Sequence, residues 1–151
     1  MTGVQKCALT ISDLELIQEG MRDGTIDIIA TDHAPHDLVD KQVEFSKACF
    51  GIVGLETALP LTLKMVDKKI ISLEKAIDML TLQPNRIFGL DKGTLGIGKV
   101  ADIALFDDKE EYSIDPSKFK SRSKNSPYAG WKVRGKILHT LVNGKTVFKA
   151  N

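Results

Sequence analysis

The stretch Ile26-Asp27-Ile28-Ile29-Ala30-Thr31-Asp32-His33-Ala34-Pro35-His36 constrains this chain most, because a carboxylate and two imidazoles directly follow a short β-branched apolar run. The run comes after Asp23-Gly24, a turn signal, and reads as a mostly buried parallel strand over 26–30 rather than a helix. Pro35 fixes its own φ and pushes Ala34 towards an extended conformation, so residues 32–36 are expected in a fixed loop at the C-terminal mouth of that strand. In parallel barrels the catalytic residues collect at that end. Asp and His are also the residue types that hold a borderline divalent metal and move protons. On residue types alone a second reading stays open, in which Asp32 caps the next turn and both histidines are solvated.

Bulk properties narrow the class. In 151 residues, 42% are hydrophobic and 27% charged, the balance of a globular chain rather than a disordered one. A net charge of +1, with basic residues scattered among acids, gives no electrostatic case for nucleic acid or an anionic membrane. Small neutral or acidic metabolites suit it better. Cys7 and Cys49 make neither a disulfide framework nor a metal pattern, which points to a reducing, cytoplasmic compartment. No apolar run approaches the ~18 residues that span a bilayer.

The remaining pattern alternates packing elements and turns. Ser12 and Glu15 form a capping box for a helix whose Leu14, Ile17 and Met21 share a face, with Gly24 as its stop. Residues 37–49 lack a clear period and read as a mobile loop with a helical turn, of the kind that covers a substrate. Leu55 to Val66 is helical by its apolar spacing, Ser72 caps a second helix, and Pro84 opens a third that ends at Gly89. From Gly93 onward the composition turns to glycine and β-branched residues. Strands are predicted over 100–106 and 137–142, and Asn143-Gly144 is a hairpin turn into residues 145–148. Residues 107–130 read as a long polar connection.

The pentapeptide Asp32-His33-Ala34-Pro35-His36 after an apolar strand resembles the last-strand motif of dihydroorotases, metal-dependent cyclic amidohydrolases of pyrimidine biosynthesis. The likeness continues through Leu16 to Asp27, through Phe50-Gly51-Ile52-Val53-Gly54-Leu55-Glu56-Thr57-Ala58-Leu59-Pro60, through Lys124 to Trp131, and through Thr140 to Lys145. It implies an α/β fold: the C-terminal portion of a parallel (β/α) barrel of the metal-dependent hydrolase type, plus the C-terminal part of a small β-sandwich. On that reading residues 1–9 are a leader foreign to the family, 10–90 hold the last barrel strand and its helices, and 91–151 form the sandwich segment. A complete member is longer, with a His-x-His strand, a metal-bridging lysine and two further histidines. This sequence has three histidines, two of them in one loop, so it reads as a portion that cannot assemble a binuclear zinc site alone.

The resemblance also assigns roles. Asp32 becomes a zinc ligand and the catalytic carboxylate, taking a proton from the attacking water and returning it to the departing amide nitrogen of dihydroorotate, to give carbamoyl aspartate. His36 contacts the substrate carboxylate, and Phe50 and Gly51 offer backbone contacts to the ring. Against these stand a surface histidine, a core aromatic and a turn glycine. His33 suits either a partner of the metal site or strand-end packing, His139 a structural place in its strand, and Lys68-Lys69 and residues 118–124 solvated faces. Other functions remain in view: a hydantoinase or allantoinase, or a non-catalytic homologue that partners aspartate transcarbamoylase. A homodimer is a further possible assembly for the full-length protein.

Overall fold

The computed structural model describes residues 11–150, so the expected leader over residues 1–9, with Cys7, lies outside the described residues. The first helix, α1, runs Ile11–Asp23. Ser12 therefore sits inside the helix, and the expected cap position shifts out of place. Of the expected apolar face only Met21 is buried; Leu14 and Ile17 remain largely exposed, because no described element covers that side. Gly24, at φ 92°, ends the helix, and the Ile26 N–H returns to the Gly20 carbonyl at 2.9 Å. That return packs Ile26 onto Gly20, where a Cβ would lie 3.2 Å from the isoleucine side chain.

The expected strand over 26–30 is not formed as a strand. The segment has no regular secondary structure, with Asp27 and Ala30 exposed and the three isoleucines half-buried, and the Ile29 N–H donates to the Met79 carbonyl at 3.2 Å rather than to a neighbouring strand. A parallel ladder needs a strand alongside. Among the described residues that neighbour is a single parallel bridge, His33 to Ile52.

Residues 37–49 contain the expected helical turn, α2, Leu38–Lys41, and one 3₁₀ turn besides, Phe45–Lys47. A second 3₁₀ turn, Leu55–Thr57, leads into α3, Ala58–Asp67, where Pro60 occupies the first turn and leaves no intrahelical bond unmade. In α4, Leu73–Leu80, Ser72 caps as expected, its hydroxyl accepting from the Lys75 N–H at 3.2 Å. The next helix, α5, spans Leu82–Phe88 and closes on Gly89 in the left-handed conformation. Met21, Ile70, Ile71, Ala76 and Met79 make the buried cluster, and Lys75 ties α4 to the end of α1 by donating to the Arg22 carbonyl at 2.9 Å.

The C-terminal third is antiparallel. Strand β1, Ile103–Asp107, pairs with β4, Lys136–Val142, which pairs with β5, Lys145–Lys149. Asn143 and Gly144, at φ 50° and 72°, form the expected hairpin turn. The supposed polar connection holds two short strands, β2, Tyr112–Ser113, and β3, Lys132–Val133, which pair with each other. They bury Ile114 and Val133, an apolar pair too isolated in sequence to show a period. Arg134 fastens this region to the helices, its Nε donating to Asp67 at 2.7 Å and its Nη1 to the Asp108 carbonyl at 2.6 Å.

Candidate active site

Two loops separate in sequence are brought together by backbone pairing. The Ala34 N–H donates to the Ile52 carbonyl at 2.9 Å, beside the His33–Ile52 bridge, so Asp32–His36 runs along Phe50–Ile52. Their approach is close enough to demand glycine. A Cβ on Gly51 would sit 2.4 Å from that of Ala34 and 3.6 Å from the His36 ring, and its φ of 109° disfavours any side chain. A Cβ on Gly54 would likewise lie 3.0 Å from the Thr31 carbonyl oxygen.

Asp32 is exposed and sits at φ 44°, a left-handed conformation that a short polar side chain tolerates better than an apolar one. Its carboxylate accepts no hydrogen bond from the described residues, which leaves both oxygens available to water, metal or substrate. His33 points elsewhere. Its Nδ1 accepts from the Gly54 N–H at 3.0 Å and from the Leu55 N–H at 3.4 Å, which assigns the proton of the neutral ring to Nε2. The ring thus braces the start of the 55–57 turn. His36 is half-buried, and Phe50 is 68% exposed, so it is not a core aromatic.

Sequence reasoning missed the residues that hold these loops. Lys41 is 2% exposed; its ammonium donates to the Cys49 carbonyl and, at 2.6 Å, to the Gly51 carbonyl. Asn125 donates from Nδ2 to the same Gly51 carbonyl at 3.0 Å, while its own carbonyl receives the Val53 N–H at 3.0 Å. Glu56 Oε1 accepts from the Lys120 and Ser121 N–H groups at 2.7 and 2.9 Å, and its Oε2 is buried without a partner among the described residues. The segment 118–124 keeps Lys118, Lys120, Arg122 and Lys124 exposed, as expected of a solvated face, while Glu56 holds its backbone at 120–121. Between them lies a cleft of about 250 Å³ lined by His36, Asp37, Lys41, Arg122, Lys124 and Asn125, with cationic groups in excess. His36, Asp40 and Cys49 also bring a ring nitrogen, a carboxylate oxygen and a thiol within 4.8 Å of one another, a set of three donors that excludes Asp32.

Comparison with known proteins places these features in a family. Residues 8–147 match the model of the amidohydrolase family. The chain belongs to that family. It is 46% identical over 139 residues to a dihydroorotase of Geobacter sp. (strain M21) and 47% identical over 141 residues to one of Acetivibrio thermocellus. These alignments cover 92% and 93% of the chain, which spans about a third, 33%, of the length of each relative. Among solved structures, the L-hydantoinase (dihydropyrimidinase) of Arthrobacter aurescens matches 97% of the chain and 34% of its own length, at TM-score 0.87 and 33% identity. The dihydropyrimidinase of Brevibacillus agri matches 98% of the chain and 34% of its own, at TM-score 0.87 and 23% identity. The fold is accordingly that of a portion of an α/β amidohydrolase barrel with its adjoining β-region.

The site can be tested for the zinc that the family resemblance implies. Around Asp32 the described residues supply one carboxylate, since the Nδ1 of His33 is committed to backbone donors and its Nε2 carries the proton. One ligand falls short of the four a zinc site takes. The described residues do not by themselves fit the metal, and no step of the chemistry is routed through it. No helix among them is long and apolar enough to cross a membrane.

Proposed function

We propose that this chain is the part of a dihydroorotase-type cyclic amidohydrolase that carries the proton-transferring carboxylate and the substrate-facing loops. The observation that carries the reading is the pairing of Asp32–His36 with Phe50–Ile52, which sets an unencumbered carboxylate, a half-buried imidazole and open backbone N–H groups on adjacent strands of chain. In this reading Asp32 takes a proton from the attacking water and returns it to the ring nitrogen as the cyclic amide opens. His36 meets a substrate carboxylate by a charge-assisted hydrogen bond, and the excess of cations in the neighbouring cleft favours an acidic substrate. Dihydroorotate, opening to carbamoyl aspartate, has that character. Residues 10–90 belong with the barrel on this view and 91–151 with the sandwich, while zinc and its remaining ligands come from outside the described residues.

A hydantoinase-type activity is the second reading, favoured by the structural match at 33% identity to the Arthrobacter aurescens enzyme. The higher identity to the dihydroorotases, 46% over 92% of the chain, supports the first. The deciding experiment assays the longest polypeptide that contains this chain against dihydroorotate, a hydantoin and dihydrouracil. Preference for dihydroorotate, lost on His36→Ala, is expected. Preference for an uncharged ring would overturn the choice of substrate.

A further inference from the structure

Lys41 is the largest fully buried side chain described, and no acid pairs with it among the described residues. An ammonium removed from water without a counter-ion is costly, so its burial calls for strong acceptors and a reason. The acceptors are two backbone carbonyls, those of Cys49 and Gly51. The short helix α2 delivers Lys41 to them, and a backbone bond from the Cys49 N–H to the Asp40 carbonyl, at 3.2 Å, fastens that helix to the same strand of chain.

A trans peptide is planar, so fixing a carbonyl oxygen fixes the N–H on the other side of the bond. With the Cys49 oxygen turned to Lys41, the Phe50 N–H must point away from it. That N–H finds no acceptor among the described residues, and neither does the N–H of Gly51, although the neighbouring Ala34 and Val53 N–H groups are both paired. Open donors on a tightly pinned stretch are what a ligand oxygen needs. Asn125 strengthens the pin by donating to the Gly51 oxygen from the other side of the fold.

We infer that Lys41 is a positioning residue: its buried ammonium clamps the carbonyls of Cys49 and Gly51 and thereby holds the Phe50 N–H ready to donate to a carbonyl or carboxylate oxygen of the substrate. The substrate half of this inference rests on the proposed function; the clamp does not. Arginine can donate to two carbonyls at once, whereas methionine fills the space without donating.

The test pairs Lys41→Met with Lys41→Arg. In this chain, amide hydrogen exchange over residues 45–52 should speed up roughly tenfold in Lys41→Met, as loss of a charged hydrogen bond implies, with α4 unchanged and Lys41→Arg between. In the longest polypeptide containing the chain, KM for the cyclic amide should rise roughly tenfold in Lys41→Met with kcat within about threefold, and Lys41→Arg should recover most of the loss. Unchanged exchange at 45–52 in Lys41→Met overturns the inference, whatever the kinetics. Altered exchange with unchanged KM overturns the substrate half and leaves the clamp. If the unaltered protein turns over no cyclic amide while exchange shifts as expected, the proposed function falls and the clamp stands.

Discussion

The β4–β5 hairpin and the paired loops 32–36 and 49–54 are both turns of chain with left-handed residues, yet they are built by opposite means. The hairpin is local: Asn143 and Gly144 supply the two positive φ angles, and the strands close on each other within a few residues. The loops are held from a distance, Gly51 by Asn125 and Lys41, Glu56 by the Lys120-Ser121 backbone, His33 by Gly54. The hairpin tolerates exposure, since every residue of β5 faces solvent. The loops instead bury a lysine and a carboxylate oxygen to keep their shape. A functional surface assembled from long-range polar contacts is more precise and more easily broken than one written into a turn.

The largest effect should come from the residue that the loops present rather than from any that holds them. Asp32→Asn in an active parent should lower turnover by ~10²–10⁴-fold, because the amide can neither take nor return the proton. Stability should hardly move. Asparagine accepts φ 44° as readily as aspartate, and Asp32 accepts no hydrogen bond from the described residues. Steady-state kinetics beside a thermal melt checks this, and a melt that fell with the rate would assign Asp32 to structure.

Legibility in the sequence divides along the same line. Ser72, Gly89 and Asn143-Gly144 each act on neighbours within four residues, so the cap, the helix stop and the hairpin could be read directly. The pentapeptide Asp32–His36 displayed its residue types just as directly, and the roles proposed for them rest on those types. The strand over 26–30 misled because an apolar run reports burial and extension, whereas the ladder depends on a partner the run does not encode. Lys41, Glu56 and Asn125 were invisible for a stronger reason. Charged and amide residues at these positions look like surface, and their partners lie up to 74 residues away.

Leu63 and Val147 set packed and exposed parts of the molecule against each other. Leu63 is fully buried in α3 while Val147 is 61% exposed in β5. Leu63→Ala should cost about 2–5 kcal/mol through lost burial and the cavity left behind, and Val147→Ala within about 0.5 kcal/mol. Denaturant unfolding of both variants measures the contrast. Equal losses would mean that the hairpin is packed against something further.

Gly51→Ala probes the loops themselves. The added methyl would meet the Ala34 Cβ at 2.4 Å in a backbone conformation of φ 109°, so one loop must move off the other. Strain of this kind costs on the order of 1–3 kcal/mol. The loss should be concentrated in residues 32–54, visible as faster amide exchange there, while α4 and the β4–β5 pairing keep their protection. Gly144→Ala is the matched change in the hairpin: it too is at positive φ, but no side chain crowds it, its nearest neighbour being the Ala101 Cβ at 4.0 Å. It should therefore cost less, and only locally.

The smallest effect concerns a long-range side-chain contact that the hairpin turn does use, beside the backbone bond from the Gly144 N–H to the Ala101 carbonyl. Asp102 receives a hydrogen bond from Lys92 at 2.5 Å and another from the Asn143 N–H at 2.9 Å, and these hold its carboxyl below the ordinary value of 3.8. A carboxyl depressed in the folded state contributes stability that is present above its unfolded value and is lost as pH falls through its folded one. Acidification below about 3.8 should thus loosen the turn at Asn143, and Asp102→Asn should remove that part of the pH dependence. The carboxylate is partly solvated, so the contribution is small and weakens with added salt. Chemical shifts of the Asn143 amide followed through an acid titration, in the unaltered chain and in Asp102→Asn, read it directly. A titration of that amide persisting in the variant would place the responsible group elsewhere, and the turn would then owe nothing of its pH response to the Asp102 carboxylate.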